Sequence, residues 1–198
     1  MTTDVNSLRV VDFGEATCTS CELQETRKRV VWSDGNVNAN VCFIGDAPDA
    51  EEEEANLPLT GETGKFFYDV LLPCAGLTRA DIWYTNVLKC RPLNKPKVGQ
   101  VKACESHLRQ ELFWIQPKVV VPMGSCAINW CFVRAKLGAI QTVGSVVARS
   151  VDVTIGDRSF KMFPVYHPGI LKHDGTKEGA LKAHFGKLGK LLKEMNIT

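Results

Sequence analysis

Four short runs of apolar, β-branched and aromatic residues punctuate the chain, and each ends on a turn signal. They are Val41-Cys42-Phe43-Ile44 before Gly45, Ile82-Trp83-Tyr84-Thr85 before Asn86, Val119-Val120-Val121 before Pro122-Met123-Gly124, and Met162-Phe163-Pro164-Val165-Tyr166 before His167. Near-continuous apolar runs of this length suit strands covered on both faces. Between them the period changes to that of helices. Residues 63–75 place Phe66, Phe67, Val70, Leu71 and Cys74 on one face, and residues 100–115 do the same with Cys104, Leu108, Leu112 and Ile115. Ser125 is placed to cap a helix over 126–135, and 177–195 reads as a final amphipathic helix. Alternation around Ile155-Gly156-Asp157 predicts a hairpin leading into the fourth strand. Strands alternating with helices predict an α/β fold: one domain over residues 1–198, with a central, mostly parallel four-stranded sheet flanked by helices. Ligands of such sheets bind at the carboxyl ends of the strands.

Composition narrows this little. At 198 residues, 44% apolar and 23% charged, the chain reads as soluble and globular. A net charge of +2 permits a nucleic-acid partner without demanding one. Met1 to Ser7 is polar, without the apolar stretch of a signal peptide, and no apolar run approaches the ~18 residues needed to span a membrane. The expected setting is intracellular and cytoplasmic, with no membrane partner and a monomeric state.

In that reducing setting eight cysteines are unexpected as disulfides and invite a search for metal ligands. Cys18-Thr19-Ser20-Cys21 is a Cys-x-x-Cys pair, and Cys90 and Cys104 form a second, distant pair. Four thiolates from two segments could close an S4 site, and the spacing alone leaves zinc and iron–sulfur both open. Cys42, Cys74, Cys126 and Cys131 fall within strand or helix patterns and are expected in the core.

Further motifs accompany the quartet. Gly45-Asp46-Ala47-Pro48-Asp49 resembles the Gly-Glu-x-Pro-Gly motif of the family 4, iron–sulfur uracil-DNA glycosylases. Tyr84-Thr85-Asn86-Val87-Leu88-Lys89-Cys90-Arg91-Pro92 resembles that family's TNVVKCRPP block. Residues 117–124 look like its third-strand block, and His167-Pro168-Gly169-Ile170-Leu171 resembles its His-Pro-Ser-x-Leu loop. Each motif alone is weak; together, in order and with the cysteines in register, they are specific.

The resemblance implies excision of uracil from DNA by hydrolysis of an N-glycosidic bond, leaving an abasic site, as in base excision repair. It implies a structural 4Fe–4S cluster on Cys18, Cys21, Cys90 and Cys104, zinc being the alternative, in a lobe formed by 18–21 and 90–104. Asp46, in place of the family's Glu, and His167 would be catalytic: one orients water or stabilises a cationic sugar, the other donates to the departing base. Asn86 would read the extruded base, with Ala47, Glu52 and Leu59 around it. Leu59 stands where the family has a stacking aromatic, and Asp49 where it has Gly. Ile170 and Leu171 would fill the gap in the duplex, and Lys172 and His173 would meet phosphates. Lys89, Arg91, Lys95, Lys97 and Lys102 are candidates for a basic rim. Beyond uracil-containing DNA, replication or repair proteins are the expected partner class. The departures at Asp49 and Leu59 keep a second reading open: a non-catalytic DNA- or protein-binding accessory on the same scaffold.

Overall fold

The computed structural model describes residues 18–197. Its strands are β1 (Asp34–Gly35), β2 (Val41–Gly45), β3 (Ile82–Asn86), β4 (Val119–Pro122), β5 (Val151–Ile155) and β6 (Arg158–Met162). Its helices are α1 (Ala50–Ala55), α2 (Gly61–Phe66), α3 (Leu72–Cys74), α4 (Val98–Ile115), α5 (Ser125–Arg134) and α6 (Glu178–Glu194), with a π-turn over Phe67–Leu71 joining α2 to α3. The strands form one sheet in the order β1-β3-β2-β4-β6-β5.

The inner four, β3, β2, β4 and β6, run parallel, as the apolar runs predict, while β1 and β5 add antiparallel edges. The fourth apolar run lies later than the strand it marks. The 158–162 arm of the hairpin is itself the fourth parallel strand. The run from Phe163 carries the ladder onward, with Phe163 N–H donating to Val120 O at 2.9 Å and Val165 N–H to Pro122 O at 3.0 Å. Gly156, at φ 62°, supplies the positive φ of the two-residue turn.

Alternation along the strands divides the core between the two faces. Val41, Phe43, Tyr84, Val119 and Val121 face Phe67, Leu71, Leu72 and the α6 residues Leu181, Phe185, Leu188 and Leu192. Cys42, Ile44, Trp83, Val120 and Met162 face Leu108, Leu112, Ala127 and Trp130 of α4 and α5. A third, smaller cluster of Leu23, Val30, Leu88 and Cys90 packs against Cys21 and Cys104.

Three details differ from the sequence expectation. Gly124, at φ 96°, is the N-cap of α5, and Ser125 is the first helical residue. Cys74 is exposed and Cys126 half-buried, whereas Cys42 and Cys131 are buried as expected. Lys89 is 1% exposed and belongs to no surface rim. Among the described residues no helix is long and apolar enough to cross a membrane.

Candidate functional site

The carboxyl ends of the parallel strands bring three chain segments together. Asp46 and Ala47 follow β2, Gly124 follows β4, and Tyr166, His167, Gly169, Ile170 and His173 follow β6; with Val143 they line one open cavity.

Asp46 is drawn to the start of α5. Its Oδ1 accepts the Ala127 N–H at 2.7 Å. A helix N-terminus favours an anion there, yet burial dominates and pushes the carboxyl up to about 6, against the hydrogen bonds from Ala127 and Cys126. Gly124 makes this approach feasible, since a Cβ on it would come within 2.7 Å of Asp46 Oδ2.

His167 Nδ1 accepts the Gly169 N–H at 3.0 Å. An acceptor at Nδ1 leaves the proton of the neutral ring on Nε2. Burial lowers the imidazole to about 4, so at neutral pH the ring is an uncharged Nε2–H donor on the cavity wall.

Asn86 ends β3 and is 3% exposed. The Tyr84 hydroxyl lies 3.1 Å from its Oδ1. Tyr84, Gly124 and Tyr166 were not singled out as site residues by the sequence reading. Tyr84 had a usable signal, since a strand returns to the same face every second residue and Tyr84 is two before Asn86.

Glu52 and Glu53 are buried at 7% and 3% exposure, so this part of the acidic run is not a solvated face. Glu52 completes a capping box with Asp49, the N-cap of α1. Its Oε2 accepts the Asp49 N–H at 2.7 Å and its Oε1 the Leu59 N–H at 2.5 Å. Burial pushes this carboxyl up to about 7, while those two N–H groups oppose the rise. Leu59 is held in the left-handed region at φ 51° and is buried in the cluster that contains Phe67 and Tyr84. Lys172 forms an ion pair with Asp49 at 3.2 Å, while Ile170 and Leu171 pack partly against the core.

Cys18, Cys21, Cys90 and Cys104 line one pocket with Arg27, Lys89 and His107. Arg27 Nη1 approaches Cys90 Sγ at 3.6 Å, Lys89 N–H donates to Cys104 Sγ at 3.3 Å, and His107 Nε2 lies 3.7 Å from Cys18 Sγ. Donors directed at sulfur suit thiolate ligands. Four thiols around one pocket fit a sulfur-ligated group. Among the described residues no three His, Cys, Asp or Glu side chains stand close enough to hold a single ion.

Behind this pocket runs a buried polar network. Lys89 Nζ pairs with Glu111 Oε2 at 2.9 Å, donates to the Asn86 carbonyl at 2.9 Å, and donates to the Thr85 hydroxyl. Glu111 also accepts the Ser33 hydroxyl at 2.7 Å and the Thr85 hydroxyl at 2.5 Å. Lys97 pairs with Glu22 and Arg91 with Glu53, so two members of the expected basic rim are engaged within the protein.

A doubly covered parallel sheet whose strand ends gather a carboxylate, a buried amide and a neutral imidazole defines a class, and the sequence comparison agrees. The model of the uracil DNA glycosylase superfamily matches residues 32–192, and the chain belongs to that superfamily. Within it, the similarity is to type-4 uracil-DNA glycosylases. One from Archaeoglobus fulgidus is 31% identical over 183 residues, covering 91% of this chain and 91% of its own. Another from Thermotoga maritima is 31% identical over 163 residues, 81% of each chain. A third from Saccharolobus solfataricus is 28% identical over 183 residues, 91% of this chain and 84% of its own.

Proposed function

We propose that this protein removes uracil from DNA, hydrolysing the N-glycosidic bond of deoxyuridine to leave an abasic site at the start of base excision repair. The observation that carries the reading is the His167 ring, whose Nδ1 accepts a backbone N–H and whose Nε2–H is thereby free to donate toward the cavity.

Cleavage of a glycosidic bond develops positive charge on the sugar and negative charge on the leaving base. A neutral, preoriented donor stabilises the base anion without surrendering its own proton. In this reading His167 meets the uracil oxygen on which charge accumulates. Asp46, ionised above about pH 6, orients the attacking water or balances the cationic sugar. Asn86 reads the Watson–Crick edge of the extruded base, with Ala47 and Leu59 as apolar surroundings and Glu52 fixing the Leu59 backbone. Ile170 and Leu171 occupy the gap in the duplex, and Lys172 approaches the phosphates from its pair with Asp49.

Cys18, Cys21, Cys90 and Cys104 would hold a 4Fe–4S cluster as a structural clamp between the N-terminal segment and α4. The four-thiol lining and the N–H and guanidinium donors on sulfur support that assignment. A cytoplasmic, monomeric repair enzyme completes the reading.

The direct test is incubation of purified protein with a uracil-containing oligonucleotide, followed by alkaline cleavage at abasic sites. Strand scission confined to the uracil position is expected. Tight DNA binding with no scission would favour the accessory reading.

A further inference from the structure

The two amide atoms of Asn86 are treated unequally. Oδ1 has the Tyr84 hydroxyl at 3.1 Å, whereas Nδ2 is buried without a hydrogen-bond partner. A buried amide nitrogen left without an acceptor costs free energy, and at the carboxyl end of β3 this one is available to an acceptor on a ligand. The neighbouring strand leaves room for the arrangement. Gly45 is the register partner of Asn86, and a Cβ on it would collide with both Asn86 Oδ1 and the Tyr84 hydroxyl.

Tyr84 is well suited to impose the inequality. It is 1% exposed, and its ring lies edge-on to Phe67 with centroids 6.2 Å apart. Burial, reinforced by the Glu52, Asp46 and Asp49 carboxylates, holds the phenol well above its ordinary range. The hydroxyl therefore keeps its proton at every working pH.

We propose that Tyr84 is a positioning residue for base selection, its O–H fixing the Asn86 amide with Oδ1 as acceptor and leaving Nδ2 as the uncommitted donor. The inference rests on the glycosylase reading and deepens it, by naming the group that sets which base edge the amide accepts. An amide fixed this way matches an edge that places a ring N–H beside a carbonyl oxygen, as uracil does at N3 and O4. Cytosine presents the reverse, an acceptor at N3 and a donor at N4. Binding it would require the amide to turn by half a rotation, which brings Nδ2 against the hydroxyl. The hydroxyl proton would then lose its acceptor in a dry environment.

The test is a double-mutant cycle on the intact, cofactor-loaded protein, comparing the parent, Tyr84→Phe, Asn86→Ala and the double variant. Two quantities are read for each: the single-turnover rate of uracil excision, and the Kd for oligonucleotides carrying a non-cleavable 2′-fluoro-deoxyuridine or 2′-fluoro-deoxycytidine. Tyr84→Phe should reduce the preference for the uracil analogue over the cytosine analogue by about 10-fold, with affinity for undamaged duplex unchanged. With Asn86 already replaced by Ala, adding Tyr84→Phe should change the preference by less than about 2-fold, because the hydroxyl acts only through the amide. If Tyr84→Phe lowers the affinity for the uracil analogue as much with Asn86→Ala present as without it, its role is packing and the proposal is overturned. So does an unchanged preference in Tyr84→Phe when Asn86→Ala loses it. A parent protein that neither excises uracil nor prefers its analogue overturns the glycosylase reading itself, an outcome distinguishable from the other two.

Discussion

Replacing Lys89 by Met tests how the sulfur-lined lobe is joined to the carboxyl end of β3. Lys89 Nζ and Glu111 Oε2 are 2.9 Å apart with side-chain exposures of 2% and 0%. Such a pair gains little net stability, but removing one partner strands a charge in low dielectric, at about 3–5 kcal/mol. Met fills a similar volume, so the cavity contribution is small. The same change deletes the Nζ donors to the Asn86 carbonyl and the Thr85 hydroxyl. At roughly 2–4 °C per kcal/mol for a chain of this size, the melting temperature should fall by about 6–20 °C. Adding Glu111→Gln removes the stranded charge and retains an acceptor for Ser33 or Thr85, so the double variant should recover about 2 kcal/mol. Thermal or urea unfolding of the four proteins provides the measurement. A Lys89→Met cost below about 1 kcal/mol, or strict additivity of the two substitutions, would refute the argument.

His167→Ala should slow single-turnover uracil excision by about 100-fold or more while leaving DNA affinity nearly unchanged, measured by alkaline cleavage and by binding to undamaged duplex. The rate should fall as pH drops through about 6, where Asp46 takes up its proton, with no contribution from His167 until about 4; Asp46→Asn should flatten this limb. The same carboxyl bears on stability with the opposite sense. Its folded value lies above its ordinary 3.8, so its contribution is most favourable below that pH and is lost as pH rises through about 6, which Asp46→Asn should reveal in unfolding curves. Cys90→Ser or Cys104→Ser should abolish the brown colour of anaerobically purified protein, and Cys126→Ser should leave it; stoichiometric zinc in colourless parent protein would overturn the cluster assignment.

What the sequence made legible was what one element decides alone. Val41–Ile44, Ile82–Thr85 and Val119–Val121 announce strands because burial on both faces demands unbroken apolar residues. β1 escaped notice because Asp34–Gly35 carries no apolar signal and exists only by pairing with Tyr84 and Trp83. Lys89 misled for a related reason. A lysine between a strand end and a cysteine reads as surface, and its burial is decided by Glu111 on α4. Asn86 and His167 were visible as types at strand ends. The orientation of each was not, because the Tyr84 hydroxyl and the Gly169 N–H impose it.

The acid at position 49 and the aliphatic residue at position 59 are also one arrangement rather than two independent departures. Asp49 caps α1, accepting the Glu51 and Glu52 N–H groups at 3.0 Å each. Glu52 returns to the Asp49 N–H and spends its other oxygen on Leu59 N–H. That second bond holds a non-glycine residue at φ 51°, a conformation L side chains seldom adopt without support. Gly64 lies against the same turn, since a Cβ on it would strike the Leu59 carbonyl. Lys172, from the loop after His167, offsets the charge of Asp49. A glycine at position 49 would lack a side-chain cap and leave Lys172 without this partner. With aspartate, the loop after β2, the turn at Leu59 and the loop after β6 are joined by contacts within the protein. A phosphodiester brought near position 49 in the glycosylase reading would therefore meet an acid already paired with a cation that the protein itself supplies.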